Sequence, residues 1–516
     1  MAESHDAKPE DVVLRLSGVT KRFGPLLAND AISLDLHRGE VLALLGENGA
    51  GKTTLMNILF GHYVADEGSI AVFGEILPPG SPKAALARGI GMVHQHFTLA
   101  DNLTVLDNVM LGTEPLWRAR SQRAAARAKL AELSETFGLA VKPDARVADL
   151  SVGERQRVEI LKALYRDAKI LILDEPTAVL TPQETEALFA TLQRLVARGL
   201  AIIFISHKLN EVMAVSRRVV VLRQGKLVAE RSTAATDRHE LAELMVGRPI
   251  PEPKVEPTPL GPVVLELQGV SLRGEGRPLL QDISLNFPAN EIVGIAGVSG
   301  NGQGVLADLV SGIAQPSGGA LSLFGQAIHY FDPARMVAYG VARIPEDRHA
   351  VGLVGDLSLE ENLISARYRE PPFARRGLID WKAVRDFATR IIADYDVRCP
   401  GPQAATRLLS GGNMQKLILG REMATSPRII LANQPTRGLD IGAVGYVHQQ
   451  LLKARMNSAG VLLISEDLDE LLALSDRVVV MYRGRMSPAM ARSAVTIRQL
   501  GSMMAGHGFA GEADAA

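Results

Sequence analysis

Four residues carry the strongest chemical signal in this chain: Lys52, Thr53, Asp174 and Glu175. The first two close the run Gly46-Glu47-Asn48-Gly49-Ala50-Gly51-Lys52-Thr53, which Thr54 follows. Glycines at this spacing let the backbone wrap an anion, so that amide N–H groups and a helix N-terminus point at phosphate oxygens. Lys52 is then expected to reach the β- and γ-phosphates of a nucleotide, and Thr53 to ligate Mg²⁺. A glycine turn alone would say little. Here the apolar run Val41–Leu45 precedes it and a helical pattern, read as Thr54–Gly61, follows. Asp174 and Glu175 end a second apolar run, Ile170–Leu173. A buried strand of this kind would carry Asp174 to the phosphate loop to hold Mg²⁺ through water, while Glu175 polarises an attacking water.

Between these motifs lies Leu150-Ser151-Val152-Gly153-Glu154-Arg155-Gln156. Locally it reads as a capping box, with Ser151 at the N-cap and Glu154 three positions on. The whole arrangement then recurs. Gly46–Gly51 returns as Gly297-Val298-Ser299-Gly300-Asn301-Gly302; Ser151-Val152-Gly153 returns as Ser410-Gly411-Gly412; Pro176-Thr177 returns as Pro435-Thr436. A repeat of about 250 residues with conserved motif order is a domain duplication, not a solenoid. Each copy opens with an alternating strand, continues through the glycine loop into a helix-rich middle, and ends in apolar strands alternating with helices. Such alternation argues an α/β fold. In the first copy Arg123–Phe137 reads as a strongly amphipathic helix. The domains are expected at 11–248 and 263–506, joined by a linker over 249–262 that contains six prolines, at 249, 251, 253, 257, 259 and 262.

Composition narrows the function classes. The 56 basic and 57 acidic residues nearly cancel, so no long-range field favours nucleic acid or an anionic membrane. One cysteine, Cys399, excludes an intrachain disulfide, which fits a reducing compartment. Residues 1–10 are polar without an apolar signal core, and no run of 18 apolar residues occurs. Work at a membrane is therefore expected to proceed through spanning partners.

An LSxGxxQ segment placed between a phosphate loop and an Asp-Glu strand is the ABC signature, and at this point the chain resembles the ABC ATPases over nearly its whole length. The resemblance implies two tandem P-loop domains, each a RecA-like α/β core with an antiparallel β subdomain and a helical subdomain. It also implies that Phe23 stacks on adenine, that Gln95 is the Q-loop glutamine near Mg²⁺ and the transmembrane partner, and that His207 is the switch histidine at the γ-phosphate. In this family ATP is clasped head to tail, the signature of one domain completing the phosphate loop of the other. The Asn-Gly-Gln second loop resembles bacterial importers of simple sugars and nucleosides. Met92–Phe97, Pro176–Gln183, Ile344–Arg348 and Gln434–Asp440 look most like the nucleoside branch. Permease subunits and a solute-binding protein are the implied partners, on the cytoplasmic face of the cell membrane. A tandem ABC ATPase acting on ribosomes or nucleic acid is the competing class.

Assembled on this pattern, the two sites are unequal. The first takes Lys52, Thr53, Gln95, Asp174, Glu175 and His207 from one copy and Ser410, Gly411, Gly412 and Asp440 from the other. The second is built on Gly297, Gly300 and Gly302, with Gln303 in place of the lysine and Gly304 in place of the hydroxyl; Ser151 and Gly153 complete it. Glu346, Asn433, Gln434 and Glu466 stand at the Q-loop, Mg²⁺, general-base and switch positions, no aromatic matches Phe23, and Thr181 stands where Asp440 does. Glu346 and Glu466 are expected to add negative charge near the phosphates. Pairing of the two domains is expected within one chain.

Overall fold

The computed structural model describes residues 11–94, 97–114, 122–177, 180, 182–206, 208–249, 255–274 and 278–509. The chain divides between residues 250 and 251 into two compact units. In the first unit a six-stranded sheet runs Lys226–Ser232, Arg218–Arg223, Val41–Leu45, Ala201–Ile205, Ile170–Asp174, Ile90–Val93 across its width. Every pair is parallel except the first, a hairpin. Val41–Leu45, Ile170–Leu173 and Ala201–Ile205 are buried along their whole length, which is why they read as unbroken apolar runs. A four-stranded antiparallel sheet, ordered Leu26–His37, Val12–Phe23, Glu67–Val72, Glu75–Ile76, packs beside it.

The second unit repeats both sheets. Its larger one carries Ile292–Ala296, Gly460–Ser465, Ile429–Asn433 and Val341–Ile344 in matching order, with Arg477–Tyr482 on the other side. Its antiparallel sheet runs Pro278–Pro288, Val263–Arg273, Gly318–Leu323, Gln326–Ala327. Each unit closes with a tight turn, Gln224-Gly225 in one and Arg483-Gly484 in the other; all four residues have positive φ, as a two-residue hairpin requires.

Three local expectations need adjustment. The helix after the phosphate loop spans Lys52–Phe60, starting two residues earlier than the pattern predicts. Gly51 takes a left-handed N-cap conformation (φ 98°), so the helical path begins at the lysine. The helix Arg123–Phe137 is present but fully buries only Ala126 and Leu130. Its long residues face outward into ion pairs, Arg127 with Asp144 and Lys129 with Asp167. Within the proline-rich stretch, the end nearest the second unit is pinned to it. The Arg455 guanidinium donates to the carbonyl of Glu256 (3.0 Å) and to Thr258 Oγ1 (3.0 Å), and Asn290 donates to the carbonyl of Pro259 (3.1 Å).

One ion pair holds the base of each large sheet, and it is duplicated. Arg218 grips Glu40 with two hydrogen bonds (2.8 and 3.0 Å), and Arg477 grips Glu291 likewise (2.6 and 2.7 Å). Glu40 and Glu291 are buried and directly precede the strands that feed the glycine loops. Breaking such a pair strands a buried charge. Arg218→Ala should lower the first unit's stability by about 3 kcal/mol, seen as a downward shift of its calorimetric transition. The double change Glu40→Gln with Arg218→Met should cost less than Arg218→Ala alone.

Candidate functional site

The glycine loop of the first unit leaves the end of Val41–Leu45 and turns into the helix Lys52–Phe60. Two glycines are sterically required there. A Cβ at Gly46 would collide with the carbonyl of Leu222 and with Ala50; one at Gly51 would collide with the carbonyl of Ala28 and with Asn29. Gly49, also at positive φ, faces open space. Gly51 offers no side-chain cap, so the first-turn N–H groups of the helix point into the loop. The buried Lys52 folds over it, donating to the carbonyls of Gly46 (2.6 Å) and Glu47 (3.0 Å). Thr53 is exposed on the same first turn. This cradle suits a polyphosphate: N–H donors, one ammonium, and room where a Cβ would intrude.

Asp174 ends its strand one strand away from the loop, with Ala201–Ile205 in between. The register pairs Asp174 with Ile205 and Leu44 with Ile205, so the carboxylate lies level with the start of the loop. Burial pushes the Asp174 carboxyl above its usual range. The neighbouring Glu175 charge adds to that, and Lys52 opposes it. Lys52, Asp174 and Glu175 therefore share one field. A half-buried carboxylate under this pressure is suited to a divalent cation. Among the described residues there is no cluster of three or more His, Cys, Asp or Glu side chains that would hold a metal by itself, so phosphate and water oxygens must complete any coordination.

Glu175 sits at positive φ (47°) with its N–H on the carbonyl of Ile205 (2.9 Å). Left-handed backbone at a non-glycine residue costs about 1–3 kcal/mol and persists only where the surroundings impose it. Gln434 has the same conformation (φ 49°) and the same bond, to Ile464 (2.8 Å). The second unit thus keeps the strained turn and changes the side chain on it. It also keeps the loop: Gly300 and Gly302 have positive φ, and Gln303 lies buried with its amide on the carbonyl of Val298 (3.0 Å), where Lys52 has Glu47. Gly304 is exposed with nothing near its would-be Cβ. Asn433 is buried at the strand end, and Gln434 Oε1 accepts from the N–H of Glu466 (3.3 Å).

The two signatures differ in surroundings. Ser151 caps Val152–Tyr165 in a full capping box with Glu154. A Cβ at Gly153 would run into the Glu184 carboxylate, so an acidic group abuts this signature glycine. Ser410 caps Gly411–Met423, accepting from the side-chain amide of Asn413 (2.9 Å). At the matching Gly412 a Cβ would meet Ala443 (3.3 Å), with an Asp440 carboxylate oxygen at 3.8 Å, and the preceding Gly411 faces the guanidinium of Arg348. Asp440 caps the next helix through the N–H of Ala443 (2.7 Å). Glu346 does not stand as an uncompensated charge, because Arg437 pairs with it. Phe23 is exposed at the tip of the hairpin whose returning strand supplies Ala28 and Asn29 to the loop, with Tyr63 edge-on to its ring (5.5 Å). Gln95, His207 and Thr181 lie outside the described residues.

Sequence reasoning missed a buried carboxylate behind each strained turn. Glu211 accepts from Thr177 Oγ1 (2.5 Å) and Ser206 Oγ (3.0 Å), tying the Asp-Glu turn to the strand that leads to residue 207. Glu470 does the same with Thr436 (2.8 Å) and Ser465 (2.6 Å), and adds His448 (3.0 Å). The repeat contained the signal: both Ser-to-Glu spacings are identical, 206 to 211 and 465 to 470.

Comparison with known proteins agrees with this geometry. The ABC transporter family model matches residues 29–178 and 280–437, one segment in each unit. The nucleoside import ATP-binding protein NupA of Lactococcus lactis subsp. cremoris is 42% identical over 499 residues, covering 96% of this chain and 98% of that protein. The guanosine import ATP-binding protein NupO of Bacillus subtilis is 43% identical, covering 96% and 98%. The glucose import ATP-binding protein TsgD13 of Haloferax volcanii is 43% identical, covering 96% of each. With a glycine cradle and its lysine in one unit, a lysine-free copy in the other, and matches of this extent, the chain belongs to the ABC transporter family, as an ATP-binding protein with two ABC ATPase domains.

Proposed function

We propose that the chain hydrolyses ATP at the first unit's phosphate loop and so drives import of a nucleoside through separate membrane-spanning permease subunits. The supporting observation is the convergence of Lys52, Asp174 and Glu175 in one field, against Gln303, Asn433 and Gln434 at the matching places of the second unit. In this reading the N–H groups of Gly46 to Thr54 and the Lys52 ammonium bind the β- and γ-phosphates, and Phe23 stacks on the adenine. Thr53, Asp174 and Gln95 hold Mg²⁺, which when bound offsets phosphate charge and relieves the pressure on Asp174. Glu175 takes the proton of the attacking water while His207 steadies the γ-phosphate. Ser410, Gly411, Gly412 and Asp440 complete the clasp.

The set of Gly297, Gly300, Gly302, Gln303, Gly304, Ser151 and Gly153 supports binding without turnover. The amide of Gln434, at the general-base position, cannot accept a proton. We place the domains at 11–248 and 263–506. The chain works at the cytoplasmic face of the membrane beside permease subunits and a solute-binding protein. No helix among the described residues is long and apolar enough to cross a membrane. A role on ribosomes or nucleic acid is not favoured, since the relatives are named as import proteins and the charge is near balance.

Glu175→Gln should reduce ATP turnover of the assembled transporter by about 10²–10⁴, and Gln434→Ala should change it far less. Substantial turnover in the Glu175→Gln variant would remove the single-site reading. In cells lacking the chain, uptake of labelled guanosine should be lost and should return with the wild-type chain but not with Glu175→Gln. Loss of glucose uptake with guanosine uptake intact would assign the solute to a monosaccharide instead.

A further inference from the structure

Asn29 lies on the strand Leu26–His37 with none of its surface exposed. Its Nδ2 donates to the carbonyl of Gly51 (3.1 Å), while its Oδ1 finds no partner among the described residues. An unpartnered polar atom at this depth is a cost that an apolar residue would avoid. The second unit avoids it: Leu280 stands at the matching position, its side chain against Gly302. The backbone around the two positions is otherwise alike. Asp30 donates to the carbonyl of Gly225 (2.8 Å), and Gln281 donates to that of Gly484 (2.8 Å). The asparagine therefore accompanies the loop that carries a lysine, and the leucine the loop that lacks one.

The peptide that Asn29 touches explains the difference. In a trans peptide the carbonyl and the N–H point in opposite directions. The carbonyl of Gly51 accepts from Leu55 N–H within the helix (2.9 Å) and from Asn29 Nδ2. Fixing that carbonyl aims the N–H of Lys52 out of the helix start and into the loop, and the second donor polarises the peptide so that this N–H donates more strongly. In the second unit the carbonyl of Gly302 has its helix partner, Leu306 (2.9 Å), but Leu280 has no hydrogen to give.

We infer that Asn29 is a positioning residue for phosphate binding, which orients and polarises the Gly51–Lys52 peptide at the expense of an unsatisfied oxygen. The inference rests on the reading of residues 46–53 as the phosphate loop. It gives opposite signs for affinity and stability, which a merely structural asparagine would not. In the full chain, Asn29→Leu should weaken Mg²⁺–ATP binding by about tenfold, while the thermal midpoint without nucleotide stays level or rises. Hydrogen exchange of a peptide covering 46–55 should quicken in the variant, with the rest of the unit unchanged. ATP affinity within about twofold of wild type, or affinity and thermal midpoint falling together, would overturn it. Lys52→Ala serves as the control: if it leaves affinity intact, the phosphate-loop reading itself falls, whereas a loss there with none in Asn29→Leu removes the Asn29 inference alone.

Discussion

A backbone can bind a polyphosphate only if several consecutive N–H groups face the same way, and side chains prevent that almost everywhere. The turn between Leu45 and Lys52 escapes because Gly46 and Gly51 run so close to the carbonyls of Leu222 and Ala28 that no Cβ fits. Those carbonyls belong to the neighbouring strand Arg218–Arg223 and to the hairpin of the antiparallel sheet. The cradle is thus held from outside by both sheets, and the Arg218–Glu40 pair secures the base from which its strand rises.

Duplication has separated framework from chemistry. Both units keep the arginine–glutamate pair, the positive-φ turn after the second apolar strand, and the carboxylate that gathers a serine and a threonine behind it. These are contacts within the fold, and losing any of them would strand a buried charge or leave a strained backbone unsupported. The groups assigned to the proposed reaction differ between the units instead. Lysine gives way to glutamine, aspartate to asparagine and glutamate to glutamine with nearly the same volume and the same backbone path. A loop can therefore retain its shape while losing the charges that the proposed reaction needs.

Electrostatic surroundings follow the same division. Arg437 meets Glu346, so the acid at the second unit's Q-loop position is answered within its own unit. At the first signature Glu184 lies against Gly153, where the second has Ala443 against Gly412. The second signature has the Arg348 guanidinium nearby, partly desolvated, which burial holds below its usual pKa.

Much of this was written in one dimension. Unbroken apolar runs gave the buried parallel strands, because a strand covered on both faces needs no alternation. The motifs named Lys52, Thr53, Asp174 and Glu175, since phosphate chemistry admits few residue types at fixed spacing. The sequence also determined the duplication and which copy retains the charges. Tertiary structure alone decided the rest. It began the helix at Lys52 through the left-handed Gly51, pinned Glu256 and Thr258 to Arg455, and set Glu184 against Gly153. It also drew Glu211 and Asn29 to the site from elements that carry no motif. Such groups act through distance, burial and the direction of a single hydrogen bond, and none of these leaves a periodic mark on a chain.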